Sequence, residues 1–199
     1  MFKRYRGRCE SESDADLVQV ACRGSGDAIG ELYERHGAMV YRFTLRMCGD
    51  ASMAEEITQE VFLAFLRQPH QFEAQRGAFS TWLCGIARRQ LWKRMEREES
   101  FVGIDAFEDQ IDQESSLGPY ELLNRKAAIN AVRSGIDQLP LWLKEVVILC
   151  ELEELTYLQV SLILGVPIGT VRSRLHRAKA RLAALLCAVP ACVGEEKKL

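Results

Sequence analysis

Hydrophobic side chains recur every three to four residues along most of the chain, which is the period of an amphipathic helix. In the segment Ser52–Arg67, for example, Ile57, Val61 and Phe65 fall on one apolar stripe. Strand signals are poor, because β-branched alternation never persists for four or more residues. The pattern therefore predicts an all-α protein. Helices are predicted at Asp14–Arg23, Ala28–Cys48, Ser52–Arg67, Phe79–Glu96, Tyr120–Ile136 and Leu141–Leu152, with two more after Thr156.

A change in composition divides the helical pattern into two parts. The stretch Glu98–Pro119 is acidic, contains glycine and proline, and shows no clean amphipathic period. It predicts a linker between two small helical bundles. The predicted boundaries are an N-terminal extension 1–13, a first bundle 14–97, the acidic linker 98–119, a second bundle 120–189 and a tail 190–199.

Residues 156–185 predict a helix-turn-helix. A short helix is followed by a tight turn at Gly165–Pro167 and by a second helix that opens near Gly169, with Thr170 as its N-cap. At about 100° per residue, one arc roughly 140° wide carries polar and basic side chains. These are Arg172, Ser173, His176 and Arg177. The opposite side carries Val171, Leu175, Ala178 and Leu182.

The charge on this second helix favours contact with a polyanion. Residues 172–181 hold four arginines, including Arg174, together with one lysine and one histidine. An arginine-rich face is often only a solvated surface, but solvated helices usually mix signs to gain i,i+4 pairs. No acid occurs from Leu155 to Ala191. We therefore predict a recognition helix that meets DNA.

A second cationic patch lies on the helix Phe79–Glu96. The formal net charge of −2 hides it, because five basic residues and one acid fall within 88–97, whereas the following 98–124 hold eight acids and no base. Trp92 shares an arc with Arg88 and Arg89, and Lys93 lies at the edge of that arc. An indole among cations can stack on an unpaired base while the cations hold the backbone. The alternative is that Trp92 belongs to the core and the arginines are merely solvated.

A third face is acidic and polar. On the helix Ser52–Arg67 it lies opposite the apolar stripe, and its members are Glu55, Glu56, Gln59 and Glu60. Each of them alone is most simply a solvated side chain. As a group they predict a surface that could dock on a basic protein.

The sequence shows no pattern typical of a metal-binding site, a disulfide framework or a catalytic site. The seven cysteines form an odd count without a CxxC pair, and the three histidines share no ligand spacing. The cysteines are interpreted as small buried hydrophobes in a reducing compartment. No nucleophile–base pair or phosphate loop occurs, so no catalytic residue, metal or cofactor is predicted. The basic N-terminus precedes SESDAD rather than an apolar core, and no apolar run approaches the roughly 18–20 residues of a membrane span, which predicts a cytoplasmic protein without membrane insertion.

Two segments resemble the extracytoplasmic-function (ECF) sigma factors of bacterial RNA polymerase. Residues 54–94, AEEITQEVFLAFLRQPHQFEAQRGAFSTWLCGIARRQLWKR, resemble their region two. Residues 139–182, LPLWLKEVVILCELEELTYLQVSLILGVPIGTVRSRLHRAKARL, resemble region four. Order and spacing agree over roughly 14–187. The resemblance implies a transcription-initiation subunit that binds core RNA polymerase, recognises promoter DNA and has no catalytic activity of its own.

The resemblance also implies three contact sites and one further partner. The core polymerase site comprises Glu55, Glu56, Gln59, Glu60 and Phe62. The −10 element would be recognised by the loop Gln68–Gly77 together with Arg88, Arg89, Trp92 and Lys93. The −35 element would be read by Arg172, Ser173, Arg174, His176 and Arg177. The family often has Asn where Arg89 stands and Asp where Lys93 stands, so this −10 helix is unusually basic. A membrane-bound anti-sigma factor is the expected regulatory partner.

Two other functions are compatible with parts of the pattern. A stand-alone helix-turn-helix repressor or activator would bind duplex DNA as a dimer, but no dimerisation helix or ligand domain is evident in the sequence. A nuclease would need clustered carboxylates to hold metal, whereas the acids concentrate in the linker and on the helix Ser52–Arg67. The sigma factor interpretation accounts for both cationic helices and the acidic face.

Overall fold

The computed structural model describes residues 12–98 and 119–188, and the regular elements within these ranges are helical. The prediction of an all-α fold is confirmed. The helices are α1 (Asp14–Cys22), α2 (Gly26–Cys48), α3 (Ala51–Arg67), α4 (Phe79–Glu98), α5 (Pro119–Asp137), α6 (Leu141–Val147), α7 (Tyr157–Leu164) and α8 (Ile168–Ala188). Two short 3₁₀ turns, Pro69–Gln71 and Ala74–Arg76, connect α3 to α4.

Side-chain caps fix where the first helices begin. Hydroxyl oxygens of Ser13 and Ser25 accept hydrogen bonds from backbone N–H groups at the starts of α1 and α2. The carboxylate of Asp50 does the same for Met53 at the start of α3, 3.0 Å away. Each cap satisfies an N–H that has no partner inside the helix. These caps explain why α2 and α3 begin one or two residues before the positions predicted from apolar periodicity.

Two details in the second half of the chain differ from the prediction. The predicted helix Leu141–Leu152 keeps its bounds, but at Ile148 it changes into a π-helical turn, in which the Glu153 N–H donates to the Ile148 carbonyl five residues earlier, at 2.9 Å. Thr170 is not the N-cap of α8. The helix begins at Ile168, because the N–H groups of Thr170 and Val171 already donate to the Pro167 carbonyl.

The core of the first helices is rich in aromatic rings. Phe65 and Phe79 are fully buried and meet edge to face with their centroids 5.1 Å apart. Phe72, from the loop between α3 and α4, packs against Phe79 and Trp82 at 5.2 and 6.0 Å. Edge-to-face pairs add to the burial of apolar area. The aromatic cluster therefore ties the α3–α4 loop to the helices that flank it.

One continuous apolar cluster runs through both halves of the chain. Buried side chains of α1 to α4 and those of α5 to α8 belong to it together, and α4 packs directly against α7. The Lys144 ammonium on α6 donates to the Met47 carbonyl at the end of α2, 3.1 Å away. The first bundle (α1 to α4) and the second bundle (α5 to α8) are therefore in contact. The predicted linker lies almost wholly outside the described residues, and the domain boundaries stay predictions.

Phe65→Ala tests the aromatic core. The substitution removes a fully buried ring that contacts two others, so we expect the free energy of unfolding to fall by about 3–5 kcal/mol. Leu63→Ala, two residues away on the exposed side of α3, should change it by less than about 0.5 kcal/mol. Urea unfolding followed by circular dichroism measures both. Similar losses for the two variants would contradict the assignment of the core.

Candidate nucleic-acid interface

The helix-turn-helix of α7 and α8 is held by local hydrogen bonds. At its start, Thr156 and Gln159 form a reciprocal capping box, with the Thr156 N–H donating to the Gln159 side chain at 2.9 Å. At its turn, Gly165 adopts a left-handed conformation with φ +66°, and its N–H donates to the Ser161 carbonyl. The Ser161 hydroxyl donates to the Val166 carbonyl at 2.6 Å. The predicted tight turn at Gly165–Pro167 is confirmed.

The two sides of α8 separate as the period predicts. Val171, Leu175 and Ala178 are buried against the rest of the second bundle. The outward side chains are Arg172, Ser173, His176 and Arg177, all of which are exposed. Donors that can reach phosphates or base edges thus occupy one continuous strip of surface.

Two residues of this strip are pre-positioned. The Arg172 guanidinium lies 5.6 Å from the centre of the Tyr157 ring, close enough for a cation–π interaction. The Ser173 hydroxyl donates to the Thr170 carbonyl at 3.0 Å. Both contacts tie outward side chains to the helix-turn-helix itself, so part of the rotamer freedom of the strip is already restricted in the free protein.

Arg174 does not belong to the exposed strip. Its guanidinium lies 5.8 Å from the centre of the Trp142 ring and 3.6 Å from a carboxylate oxygen of Glu145. Only 24% of its side chain is exposed. Arg174 is therefore set apart from the other predicted −35 contacts, because Trp142 and the buried Glu145 on α6 hold its side chain.

The cationic patch on α4 is divided in the same way. Arg89 and Lys93 are exposed. Arg88 instead forms two hydrogen bonds to Glu145, at 2.8 and 3.3 Å, and the Trp92 indole N–H donates to the same carboxylate at 3.4 Å. The Trp92 ring is half-buried beside α6, between the two positions that the sequence left open. Periodicity identifies the side of the helix but not a partner more than fifty residues away.

The polar face of α3 is exposed. Glu55, Glu56, Gln59 and Glu60 all lie at the surface. Arg94 of α4 bridges two of them, at 2.5 Å from Glu56 and 2.6 Å from Glu60. These hydrogen bonds, that to Glu56 foremost, raise the pKa of Arg94. Glu55 and Gln59 line a surface cavity whose other walls are Tyr33, Gly37, Ala38, Tyr41 and Thr58.

Phe62, the fifth residue of the predicted polymerase site, lies elsewhere on α3. It is 5% exposed and meets Tyr33 edge to face with a centroid distance of 4.8 Å. In this position the ring lies inside the first bundle, so the structure does not present it directly at the surface. The helical period places Phe62 beside both the stripe and the polar face, and its contact with polymerase stays a prediction.

Sequence reasoning missed two buried acids, Glu145 and Glu153. Their side chains are each 1% exposed, and each is paired with at least one arginine of the first bundle. Glu145 binds Arg88, and Glu153 binds both Arg42, at 3.0 Å, and Arg46. The sequence did contain a signal for the burial of Glu145, because this residue stands inside the nearly solid apolar run of α6. An ionisable side chain in such a run is buried only when it is paired.

The cysteines are less buried than predicted. Of the five in the described ranges, Cys84 is buried, Cys48 and Cys150 are half-buried, and Cys22 and Cys187 are exposed. Burial raises the pKa of the Cys84 thiol to about 12 and, with help from the nearby Glu151 charge, that of Cys150 to about 11. Among the described side chains, no group of three or more His, Cys, Asp or Glu could hold a metal ion. None of the helices in the described ranges is long and apolar enough to span a bilayer.

Comparison with known proteins assigns the two bundles separately. The family model for Sigma-70 region 2 matches residues 32–100, and that for Sigma-70, region 4 matches residues 129–182. The ECF RNA polymerase sigma factor SigE of Mycolicibacterium smegmatis is 30% identical over 188 residues, covering 87% of this chain and 72% of SigE. BldN of Streptomyces coelicolor, another ECF sigma factor, is 32% identical over 190 residues, covering 92% of this chain and 70% of BldN.

Solved structures share the fold. The sigma factor RpoE of Bartonella quintana, in complex with the anti-sigma factor NepR, superposes with a TM-score of 0.64 at 21% identity, over 80% of this chain and 97% of RpoE. CnrH, in complex with the cytosolic domain of CnrY, gives a TM-score of 0.68 at 21% identity, over 89% of this chain and 99% of CnrH. At this level of identity the likeness supports the architecture.

Gly165→Ala tests the turn that sets the orientation of α8 relative to α7. A Cβ at Gly165 would meet no atom within 4 Å, so the cost is that of a left-handed conformation, about 1–2 kcal/mol in the free energy of unfolding. Gly169→Ala is the matched control, because Gly169 lies in the first turn of α8, with equal space and a φ that alanine accepts. It should stabilise by up to about 1 kcal/mol. Thermal unfolding of both variants compares them, and a neutral Gly165→Ala would contradict the turn geometry.

Proposed function

Because this chain belongs to the extracytoplasmic-function sigma factors, we propose that its two bundles bind core RNA polymerase and direct it to promoters with −10 and −35 elements. The observation that carries the proposal is that each bundle contains a helix with cations exposed along its outer side: α4 in the part that matches region 2, and α8 in the part that matches region 4. Two such faces on one chain fit a two-part DNA site.

The exposed strip of α8 suits the −35 element. Arg172 and Arg177 can each present two parallel N–H groups to the O6 and N7 atoms of guanine in the major groove, a pairing worth about 1–3 kcal/mol of discrimination. Ser173 and His176 add shorter hydrogen-bonding groups between them. Arg174 supports this surface from behind, through Trp142 and Glu145, and is not proposed as a base contact.

The exposed side of α4 suits the −10 element. Arg89 and Lys93 are free of buried partners in the described contacts and can hold the phosphates of an opened strand. Trp92 can stack on a base once its indole N–H leaves Glu145. The adjoining loop 68–77 is fixed to the same bundle by Phe72, so the loop and α4 act as one surface.

The polar face of α3 suits core polymerase. Glu55 and Gln59 border the cavity beside Tyr33, where a side chain of the polymerase could insert. Glu56 and Glu60 are half-neutralised by Arg94, which leaves this face less acidic than its sequence indicates. Phe62 supports the face from beneath through Tyr33.

The remaining parts of the proposal concern regulation and place. The RpoE structure of the same fold contains the anti-sigma factor NepR, and we include a membrane-bound anti-sigma factor as the controlling partner. The chain would act in the cytoplasm and have no catalytic activity, since sigma factors are regulatory proteins. A stand-alone helix-turn-helix regulator is not favoured, because it would leave the region 2 match over residues 32–100 without a purpose.

Run-off transcription tests the function as a whole. Bacterial core RNA polymerase is supplied with a promoter library, with and without this protein. New start sites preceded by a shared two-part element are the expected result. Tight duplex binding by the protein alone, without new initiation, would instead indicate a stand-alone regulator.

Arg172→Ala and Arg177→Ala test the −35 role. Each removes one bidentate contact, so transcription from a promoter identified in the run-off assay should fall about 5- to 150-fold. Binding to core polymerase, measured by gel filtration or fluorescence anisotropy, should not change. Arg23→Ala is the matched control, because this exposed arginine follows α1, far along the chain from α8. Equal loss of transcription and of polymerase binding would contradict the assignment.

Gln59→Lys with Glu60→Lys tests the polymerase face. The change places two cations opposite a surface expected to be basic, and we expect core affinity to fall at least about tenfold, since like charges across an interface cost several kcal/mol. Glu34→Lys on α2, an exposed acid with no proposed role, is the control. If competition binding gives the double variant and the wild type the same affinity for core polymerase, the docking face lies elsewhere.

A further inference from the structure

Glu145 joins residues of both proposed DNA-binding helices. One of its carboxylate oxygens accepts from Arg88 at 2.8 Å and from the Trp92 indole at 3.4 Å. The other lies 3.3 Å from Arg88 and 3.6 Å from Arg174. Arg88 and Trp92 belong to α4, Arg174 belongs to α8, and Glu145 itself lies on α6. A single buried carboxylate is thus shared between the region 2 and region 4 bundles.

The partners from α4 are the ones that Glu145 needs most. A carboxylate removed from water is stable only when charged and hydrogen-bonded groups replace the lost solvent. The shorter contacts all come from Arg88 and Trp92, whereas Arg174 is at 3.6 Å. If the bundles separated, Glu145 would keep only the long contact and would be exposed to water.

Three further contacts hold the same two bundles together. Glu153, at the end of the π-helical turn, accepts from Arg42 at 3.0 Å and also pairs with Arg46, both on α2. Lys144, next to Glu145, donates to the carbonyl of Met47 at the end of α2. Charged groups on both sides of the turn therefore face the first bundle.

The closed arrangement covers part of the proposed −10 surface. Arg88 and Trp92 direct their N–H groups at Glu145 and cannot offer them to a nucleic acid at the same time. At the end of the loop 68–77, a Cβ on Gly77 would lie 3.4 Å from the Leu162 side chain, so α7 lies against this loop. The helix-turn-helix thus occupies space next to the loop and α4.

We propose that the free protein holds itself closed, with Glu145 binding Arg88 and Trp92 in the place that a nucleic-acid phosphate and base would take. A carboxylate and a phosphate both accept charge-assisted hydrogen bonds from arginine, so one can substitute for the other. Glu153 acts as the second anchor. Separation of the bundles releases Arg88 and Trp92 for the −10 element. That closure hides a DNA-binding surface (the occlusion) rests on the proposed function of α4. That the two bundles hold each other in contact (the closure) does not.

Charge removal at the two anchors tests the closure. The variants are Glu145→Gln, Glu153→Gln and the two combined, each of which keeps the side-chain shape. Glu151→Gln is the matched control, because Glu151 lies in the same π-helical turn but pairs with Lys179 of its own bundle, at 2.9 Å. Small-angle X-ray scattering of the full chain should show a larger radius of gyration for the double variant than for the wild type. The radius of gyration of the control should equal that of the wild type. Circular dichroism confirms that the helices persist.

Binding to single-stranded DNA tests the occlusion. The probe is a fluorescent 20-nucleotide strand of mixed sequence, measured by anisotropy. If the closed form makes up about nine tenths of the wild type, opening raises the apparent affinity about tenfold. Glu151→Gln removes one negative charge, as each single variant does, and should bind within about twofold of the wild type. The combination of Trp92→Ala with the double variant should lose most of the gain, because the stacking ring is gone.

The two readouts separate the possible failures. An unchanged radius of gyration for the double variant would overturn the closure, whatever the run-off assay gives. Expansion without tighter binding to the strand would overturn the occlusion and would also count against a −10 role for α4. Expansion with tighter binding would support the proposal, even if transcription from any chosen promoter were absent.

Discussion

A carboxylate that is removed from water must find cations, and in this protein Glu145 finds them on two different bundles. Arg88 comes from the region 2 bundle and Arg174 from α8, while α6 supplies the acid. The relative placement of α4, α6 and α8 therefore depends on one shared charge. The apolar cluster that runs through both bundles supplies the stabilising area, but apolar contact is non-directional. The hydrogen bonds to Glu145 have a direction, and they specify which residues of α4 and α8 turn inward.

This constraint divides each cationic helix into two functional groups. On α8, Arg172 and Arg177 stay outside, while Arg174 is drawn toward Trp142 and Glu145. On α4, Arg89 and Lys93 stay outside, while Arg88 turns inward. The outer members remain available for phosphates and bases. The inner members are the ones whose availability changes when the bundles separate, so the same helix carries both constitutive and conditional contacts.

Local chemistry in the sequence predicted most of the fold and the outward face of the site. The apolar period located the helices, and Gly165 with Pro167 located the turn, because both signals act over a few residues. The sequence did not decide the position of side chains that depend on a distant partner. Trp92 is half-buried because Glu145, fifty-three positions later, accepts its N–H. Phe62 is buried because Tyr33 packs on it. The π-helical turn after Val147, which leads to Glu153, has no recognisable sequence signature, since its apolar residues suit an α-helix equally well.

The energetics of buried ion pairs suit a contact that must open. The attraction between Glu145 and Arg88 is largely offset by the loss of hydration on both groups, so the net contribution of such a pair is small. When the bundles separate, water solvates both charges again, and the cost of opening is mainly that of the apolar area exposed. Deleting one charge while the other stays buried is a different change, because it leaves an uncompensated ion. An ion pair therefore gives the closed arrangement its register without making it hard to leave. A purely apolar interface of the same size would hold the bundles by area alone, and Arg88 would then have no carboxylate that a phosphate could replace.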